Sequence, residues 1–258
     1  MDIVCIPDTQ VRPDVDITHL MALSNYLVEH KPDVIVHMGD HWDFPSLNSH
    51  EDRKSSYFAD VDFYSDLSAG RAALNALERE ILHYNAWQAA NKKAKYNPRK
   101  IFLTGNHEYR IDKLVKNNPY LEGTISRNLL GLEERGWEVY DFLEIAEVEG
   151  ILFSHYFQNP TSLVGSAIGG TIENKLKNIG QSFVMGHQQI FQHGMLFDAY
   201  GMKKQGIVHG SFYMHDEEYQ GRQACNHTWH GISHLRNVEH GEFDPSFISL
   251  ESLLREHL

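Results

Sequence analysis

Val34-Ile35-Val36-His37-Met38-Gly39-Asp40-His41-Trp42-Asp43 is the stretch on which the reading of the fold turns. Three β-branched residues in succession, without polar alternation, predict a short strand buried on both faces. Gly39 then permits a sharp turn, and the Asp40 carboxylate stands just past it. Four other apolar runs stop in the same way. Ile3-Val4-Cys5-Ile6 runs into Asp8, Ile101-Phe102-Leu103 into Asn106, Ile151-Leu152-Phe153 into His155, and Phe183-Val184-Met185 into His187. Ligands of layered α/β domains gather beyond the carboxyl ends of buried strands, so five such endings predict one shared site.

Working outward, Asp16 to Lys31 carries Ile17, Leu20, Leu23 and Leu27 at helical spacing, and Pro32 stops it. Ser68 to Lys95 repeats the pattern, with Leu74, Leu77, Ile81, Tyr84 and Trp87 predicted on one core-facing stripe, and Asn97-Pro98 closes it. Between them, residues 44–66 are polar and irregular, and read as an insertion at the rim of the site. From Trp137 on, short strands are predicted, including a hairpin turning at Glu149-Gly150. Asn159 to Gly170, rich in small residues, reads as a loop beside the site. Helices early and strands late fit a single domain over 1–258, with two packed sheets and helices outside.

Composition narrows the partners. The chain has 258 residues, 41% of them hydrophobic, enough for a substantial core. Lys and Arg number 23 against 35 Asp and Glu, a net charge of -12 that opposes unspecific binding to duplex nucleic acid or anionic membrane. An anionic substrate must then be met by metal or by a small basic patch. Cys5 and Cys225 have no paired spacing, so no disulfide is expected and a reducing compartment is favoured. No basic opening segment and no run of about 20 apolar residues occurs, so a soluble cytoplasmic protein without membrane contact is expected.

Asp8, Asp40, Asn106, His155 and His187 make a mixed oxygen and nitrogen donor set, with Gln10 and Gln189 on the same loops. Two dications about 3.5 to 4 Å apart can bind both oxygens of an in-line phosphoryl displacement and lower the pKa of a bound water. A bridging role suits a carboxylate, and Asp40 is its candidate. His107, beside Asn106 and held by Asp43, would keep a raised pKa and could protonate a leaving alkoxide. Arg12, Arg53, Lys54 and Arg110 are the candidate phosphate contacts, Arg110 foremost because it follows the Asn106 loop closely. His227, His230 and His234 have zinc-like spacing but no accompanying cysteine and an alternating, strand-like context, so no second metal site is expected there.

Asp8, Gly39-Asp40-His41-Trp42-Asp43, Gly105-Asn106-His107-Glu108, His155 and Gly186-His187 resemble the successive motifs of the calcineurin-like metallophosphoesterase superfamily. The resemblance spans roughly residues 2–190. Gly39 to Leu47 and Met185 to Gln189 also resemble phage-encoded members. The superfamily implies an α/β fold of four layers, two mixed β-sheets flanked by helices, with a dinuclear centre and hydrolysis of phosphate esters. By position, one metal would take Asp8 and Asp40 and the other Asp40, Asn106, His155 and His187, with His107 and Asp43 as the acid dyad.

Two departures stand out. Gln10 and Gln189 occupy positions that are histidine in the superfamily, where both serve the same metal. An amide oxygen is harder and weaker than imidazole, so two divalent ions, with Mn²⁺ or Mg²⁺ favoured over Zn²⁺, are expected. Phosphoprotein phosphatases carry Arg-Gly after the second motif, whereas this chain has Phe44-Pro45, which disfavours that subgroup. The leading expectation is a metal-dependent hydrolase of phosphodiesters, with a nucleotide or single-stranded nucleic acid as substrate, in which metal-activated hydroxide attacks and His107 is the general acid. Its rivals are a phosphomonoesterase and a single-metal scaffold that only binds.

Overall fold

The structure, a computed structural model, describes residues 1–48, 60–215 and 228–258. A six-stranded mixed sheet has the order β11-β10-β1-β2-β3-β4, and a five-stranded mixed sheet the order β5-β6-β7-β9-β8. In the first, β1 (Ile3–Ile6), β2 (Val34–His37), β3 (Arg99–Leu103) and β4 (Trp137–Tyr140) run parallel. β10 (Gly231–Glu239) and β11 (Glu242–Ser249) extend it antiparallel. In the second, β5 (Ala146–Val148) and β6 (Ile151–Ser154) form the expected hairpin. β6 then runs parallel to β7 (Ser182–Met185), and β7 to β9 (Lys203–Val208), with β8 (Gln192–Phe197) at the antiparallel edge.

Side-chain alternation sorts the core into three leaves. Ile3, Cys5, Val34, Val36 and Leu103 face Val148, Ile151, Phe153 and Val184 between the sheets. Val4, Ile6, Ile35 and Phe102 point the other way, onto helices α1 (Thr18–His30) and α2 (Phe63–Ala90) and the last helix. Phe183, Met185 and Val208 pack outward on Ile172 and Leu176 of a helix that covers the second sheet. The four layers are therefore helices, sheet, sheet, helix. Among the described residues no helix is long and apolar enough to cross a membrane.

Several sequence expectations are corrected. The flanks of the supposed rim insertion belong to the body of the domain. Phe44, Pro45, Ser46 and Leu47 are buried, the last three in a 3₁₀ turn, while Phe63 to Asp66 form the first turn of α2, capped by the Asp62 carboxylate on Ser65 N–H. Helix α2 thus starts five residues before the predicted Ser68 and stops at Ala90, short of Lys95. Its stripe also ends early: Leu74 and Leu77 are buried, but Trp87 is 54% exposed and carries Lys93 over its ring. Three short helices, α3 (Tyr109–Asn117), α4 (Ile172–Ile179) and α5 (Leu250–His257), were not anticipated, and two of them lie in the half read as β.

Candidate metal centre

The five strand ends converge. β1, β2 and β3 end side by side in one sheet and β6 and β7 in the other, so Asp8, Asp40, Asn106, His155 and His187 follow strand ends on one common edge. Backbone bonds join the first two loops: Gln10 N–H donates to Asp40 O (2.9 Å) and Val11 N–H to His41 O (2.7 Å). Gly39 has φ +93°, and a Cβ there would lie 2.5 Å from Leu103 O. Only glycine fits that turn. Gly105 is needed for room, since a Cβ would lie 2.1 Å from Asp40 Oδ1. Gln10, Asp40, Phe44, His187 and Gln189 also have positive φ, an unfavourable backbone state that concentrates here.

Glu108 fixes the relation between the two central loops. Its buried carboxylate accepts N–H bonds from Asp40 (3.0 Å) and Gly105 (2.9 Å) on Oε2, and from Trp42 (3.0 Å) on Oε1. Burial, with the Asp40 charge nearby, pushes this carboxyl up to about 7 against those donors. The sequence pattern by itself assigns no role to Glu108 of the Gly105–Glu108 motif. Its position directly after His107 was the available signal.

One donor set is closed around Asn106. Its Oδ1 lies 2.9 Å from His155 Nε2 and 2.8 Å from His187 Nδ1, and His155 Nε2 lies 3.3 Å from Asp40 Oδ2. Donor atoms of Asp40, His155 and His187 all lie within 4.8 Å of one another. His155 Nδ1–H donates to Met38 O (2.7 Å), which turns Nε2 toward the centre. Burial disfavours charge on His155, yet Asp40 and Asp8 outweigh it and raise its pKa to about 9. For His187, burial and the neighbouring imidazoles lower the pKa to about 4. Burial also opposes charge on Asp40, but His155 and His107 hold it well below the usual carboxylate range. Two imidazoles, an amide oxygen and a carboxylate fit a divalent transition ion.

The Asp8 side is built differently. Asp8 Oδ1 accepts His187 N–H (3.2 Å) and Oδ2 accepts Gln189 Nε2–H (3.4 Å). Tyr213 hydroxyl donates to Gln189 Oε1 (2.9 Å), so the amide presents a donor to Asp8 while its oxygen is engaged elsewhere. Gln10 Oε1 is buried without a hydrogen-bond partner. An orphaned carbonyl oxygen on the loop that bonds to the Asp40 backbone suits a hard cation, so Asp8, Asp40 and Gln10 are the side chains that could hold a second ion. Burial pushes Asp8 up to about 6, with Asp40 adding to the shift.

His107 stands beside this centre. Its Nδ1–H donates to Asp43 O (2.7 Å) with Asp43 Oδ1 at 3.1 Å, its main-chain N–H donates to Asp40 Oδ1 (2.9 Å), and Nε2 lies 3.9 Å from Asp40 Oδ2. Burial lowers its pKa, but Asp40 and Asp43 more than compensate and the net shift is upward. Arg110 sits close by, donating through Nη1 to Asp43 O (2.7 Å) and Phe44 O (3.2 Å), with Nη2 3.2 Å from His107 Nε2. Arg12 Nη1 reaches Asp43 Oδ2 at 3.2 Å. Both arginines therefore converge on Asp43. Arg53, Lys54, Cys225 and His227 lie outside the described residues.

Aromatic rings form a half-buried row along one side. Tyr109 stacks on Phe142 at 4.7 Å, Phe142 meets Tyr156 at 5.7 Å, and Tyr156 lies 4.5 Å from the His187 ring. Nothing in the sequence pattern marked this row, because its members come from three separate segments. His209 is buried, with Nε2 2.9 Å from Ser233 Oγ, and His230 pairs with Ser211 while His234 pairs with Tyr26, so the latter two histidines face different neighbours.

The sequence model described as calcineurin-like phosphoesterase matches residues 1–219. Among solved structures, the chain is similar to YfcE, described as a phosphoesterase from E. coli, at 11% identity and a TM-score of 0.38, over 97% of this chain and 100% of that one. No curated protein matches the chain.

Proposed function

Because the chain belongs to the calcineurin-like phosphoesterase family, and so to enzymes that use divalent metal to hydrolyse phosphate esters, we propose that its substrates are phosphodiesters bearing a nucleobase, either nucleotides or single-stranded nucleic acid. The observation that carries this reading is the Tyr109–Phe142–Tyr156 row leading to His187. A base stacked on such a ring gains about 1–3 kcal/mol. Charge supports the diester. A monoester dianion calls for a dense cationic pocket, whereas Arg12 and Arg110 are both engaged at Asp43.

Metal ions in this centre would polarise the phosphoryl oxygens and lower the pKa of the attacking water. Asp40, Asn106, His155 and His187 would hold one ion firmly, and Asp8, Asp40 and Gln10 a second, weaker one for which Mn²⁺ or Mg²⁺ suits the oxygen donors better than Zn²⁺. His107 is the proton donor to the leaving oxygen. Asp43 holds its Nδ1–H, which directs Nε2 to the reacting side, and Arg110 and Arg12 keep Asp43 in place.

The test uses chelator-treated protein reloaded with Mn²⁺, assayed on dinucleotides, cyclic nucleotides, single-stranded DNA, aryl diesters and monoesters. Diesters should exceed monoesters in kcat/KM. Tyr156→Ala should raise KM for a dinucleotide about tenfold with kcat kept, the effect of losing one stack. A preference for monoesters, or an unchanged KM in Tyr156→Ala, overturns the proposal.

A further inference from the structure

At the opposite edge of the first sheet, where α1 ends and β1 and β2 begin, a second group of metal-binding side chains is assembled from distant parts of the chain. Glu29 and His30 stand at the end of α1, and His257 on α5. One donor atom from each lies within 4.8 Å of the other two, and His257 Nδ1 is 3.3 Å from Glu29 Oε2. We propose that Glu29, His30 and His257 form a zinc site that fastens the last helix to the first.

The donors are held in place by their surroundings. Tyr26 floors the group: its ring centroid lies 4.1 Å from that of His30 and 5.2 Å from that of His257. Asn25 Nδ2–H donates to His257 O (2.7 Å), which fixes the end of α5 on α1. Behind Tyr26, His234 takes part in a hydrogen bond between its Nδ1 and the Tyr26 hydroxyl (2.7 Å). Packing and outer hydrogen bonds of this kind orient imidazole ligands. Two imidazoles and one carboxylate are a zinc donor set with one position left for water, and Glu29, 64% exposed, leaves an entry path from solvent. The softer donors separate it from the oxygen-rich Asp8 side, so Zn²⁺ rather than Mg²⁺ or Mn²⁺ is the ion it selects. Its role is mechanical. An ion bound only by the docked helix pair stabilises the docked state in proportion to its occupancy.

Zinc alone is the probe, on tag-free full-length protein stripped with chelator. After equilibration with Zn²⁺ and gel filtration, elemental analysis should find about one equivalent fewer in the double variant His30→Gln, His257→Gln than in the parent. With zinc at a hundredfold excess over its Kd, the thermal midpoint of the parent should rise about 5 °C more than that of the variant. Asp40→Asn, which removes a ligand of the other centre, should keep this equivalent. Equal zinc content and equal thermal response in parent and double variant overturn the proposal. Should the double variant fail to fold, Glu29→Gln, an exposed position, must weaken the same zinc site about tenfold, and an unchanged affinity is equally decisive against it.

Discussion

Replacing Glu108 by Gln tests the most consequential piece of the geometry, the clamp that sets the Asp40 loop against the Asn106 loop. The carboxylate accepts three backbone N–H bonds at 2.9 to 3.0 Å, two on Oε2 and one on Oε1. Glutamine has one oxygen. In its better orientation that oxygen serves Asp40 and Gly105, and the amide N–H₂ then confronts Trp42 N–H, donor against donor. Losing one hydrogen bond and leaving a buried N–H unpaired together cost about 3 kcal/mol. For a domain of this size that corresponds to a fall in thermal midpoint of about 6 to 12 °C. The measurement belongs at pH 6 in chelator, below the value of about 7 to which burial raises this carboxyl, so that the parent is mostly neutral, its protonated oxygen still accepts Trp42 N–H, and neither relief of a buried charge nor bound metal masks the loss. Because the clamp also fixes the backbone of Asp40, a proposed metal ligand, Mn²⁺ affinity should fall about tenfold in parallel. A midpoint within 2 °C of the parent (about 0.5 to 1 kcal/mol at this size), together with unchanged Mn²⁺ affinity, would refute the clamp.

Three further outcomes are expected. His107→Ala should lower kcat on an activated diester by about 10²- to 10⁴-fold while Mn²⁺ content by elemental analysis stays at the parental level, since alanine keeps the N–H that Asp40 accepts. Gln189→His should tighten Zn²⁺ on the Asp8 side about tenfold in calorimetric titration, because it replaces an amide that donates to Asp8 with an imidazole; no change would mean that position 189 does not face that ion. His209 ties stability to pH. Burial lowers its pKa from 6.5 to about 3, so the folded protein keeps it neutral while the unfolded chain takes up a proton below 6.5. Its contribution is present above pH 6.5 and is lost as pH falls toward about 3, roughly 2 kcal/mol of it by pH 5. In urea titrations at pH 7 and pH 5, His209→Gln should lose about that much less than the parent; an identical loss would remove the histidine from the account.

Sequence alone determined the five strand ends and the order of candidate ligands on them, for a physical reason. A parallel strand buried on both faces must be apolar throughout, so its end is abrupt, and a ligand held on the first turn after it inherits the rigidity of the sheet. Gly39 was legible in the same way, as the residue that permits the sharp turn into Asp40, whereas the close approach of the Asp40 carboxylate to Gly105 is a matter of tertiary structure. Tertiary structure alone decided the rest. Helices α4 and α5 have eight residues each, too few for a period to register, and exist because their apolar sides complete the outer layers. Trp87 has the right spacing for the core yet, near the C-terminal end of α2, is left 54% exposed. The Gln189 amide takes its direction from Tyr213, 24 positions away, and the Glu29, His30 and His257 group joins residues more than 200 positions apart. Local pattern records what a residue's own strand or helix demands of it; which side chain meets which partner is settled only when the layers close.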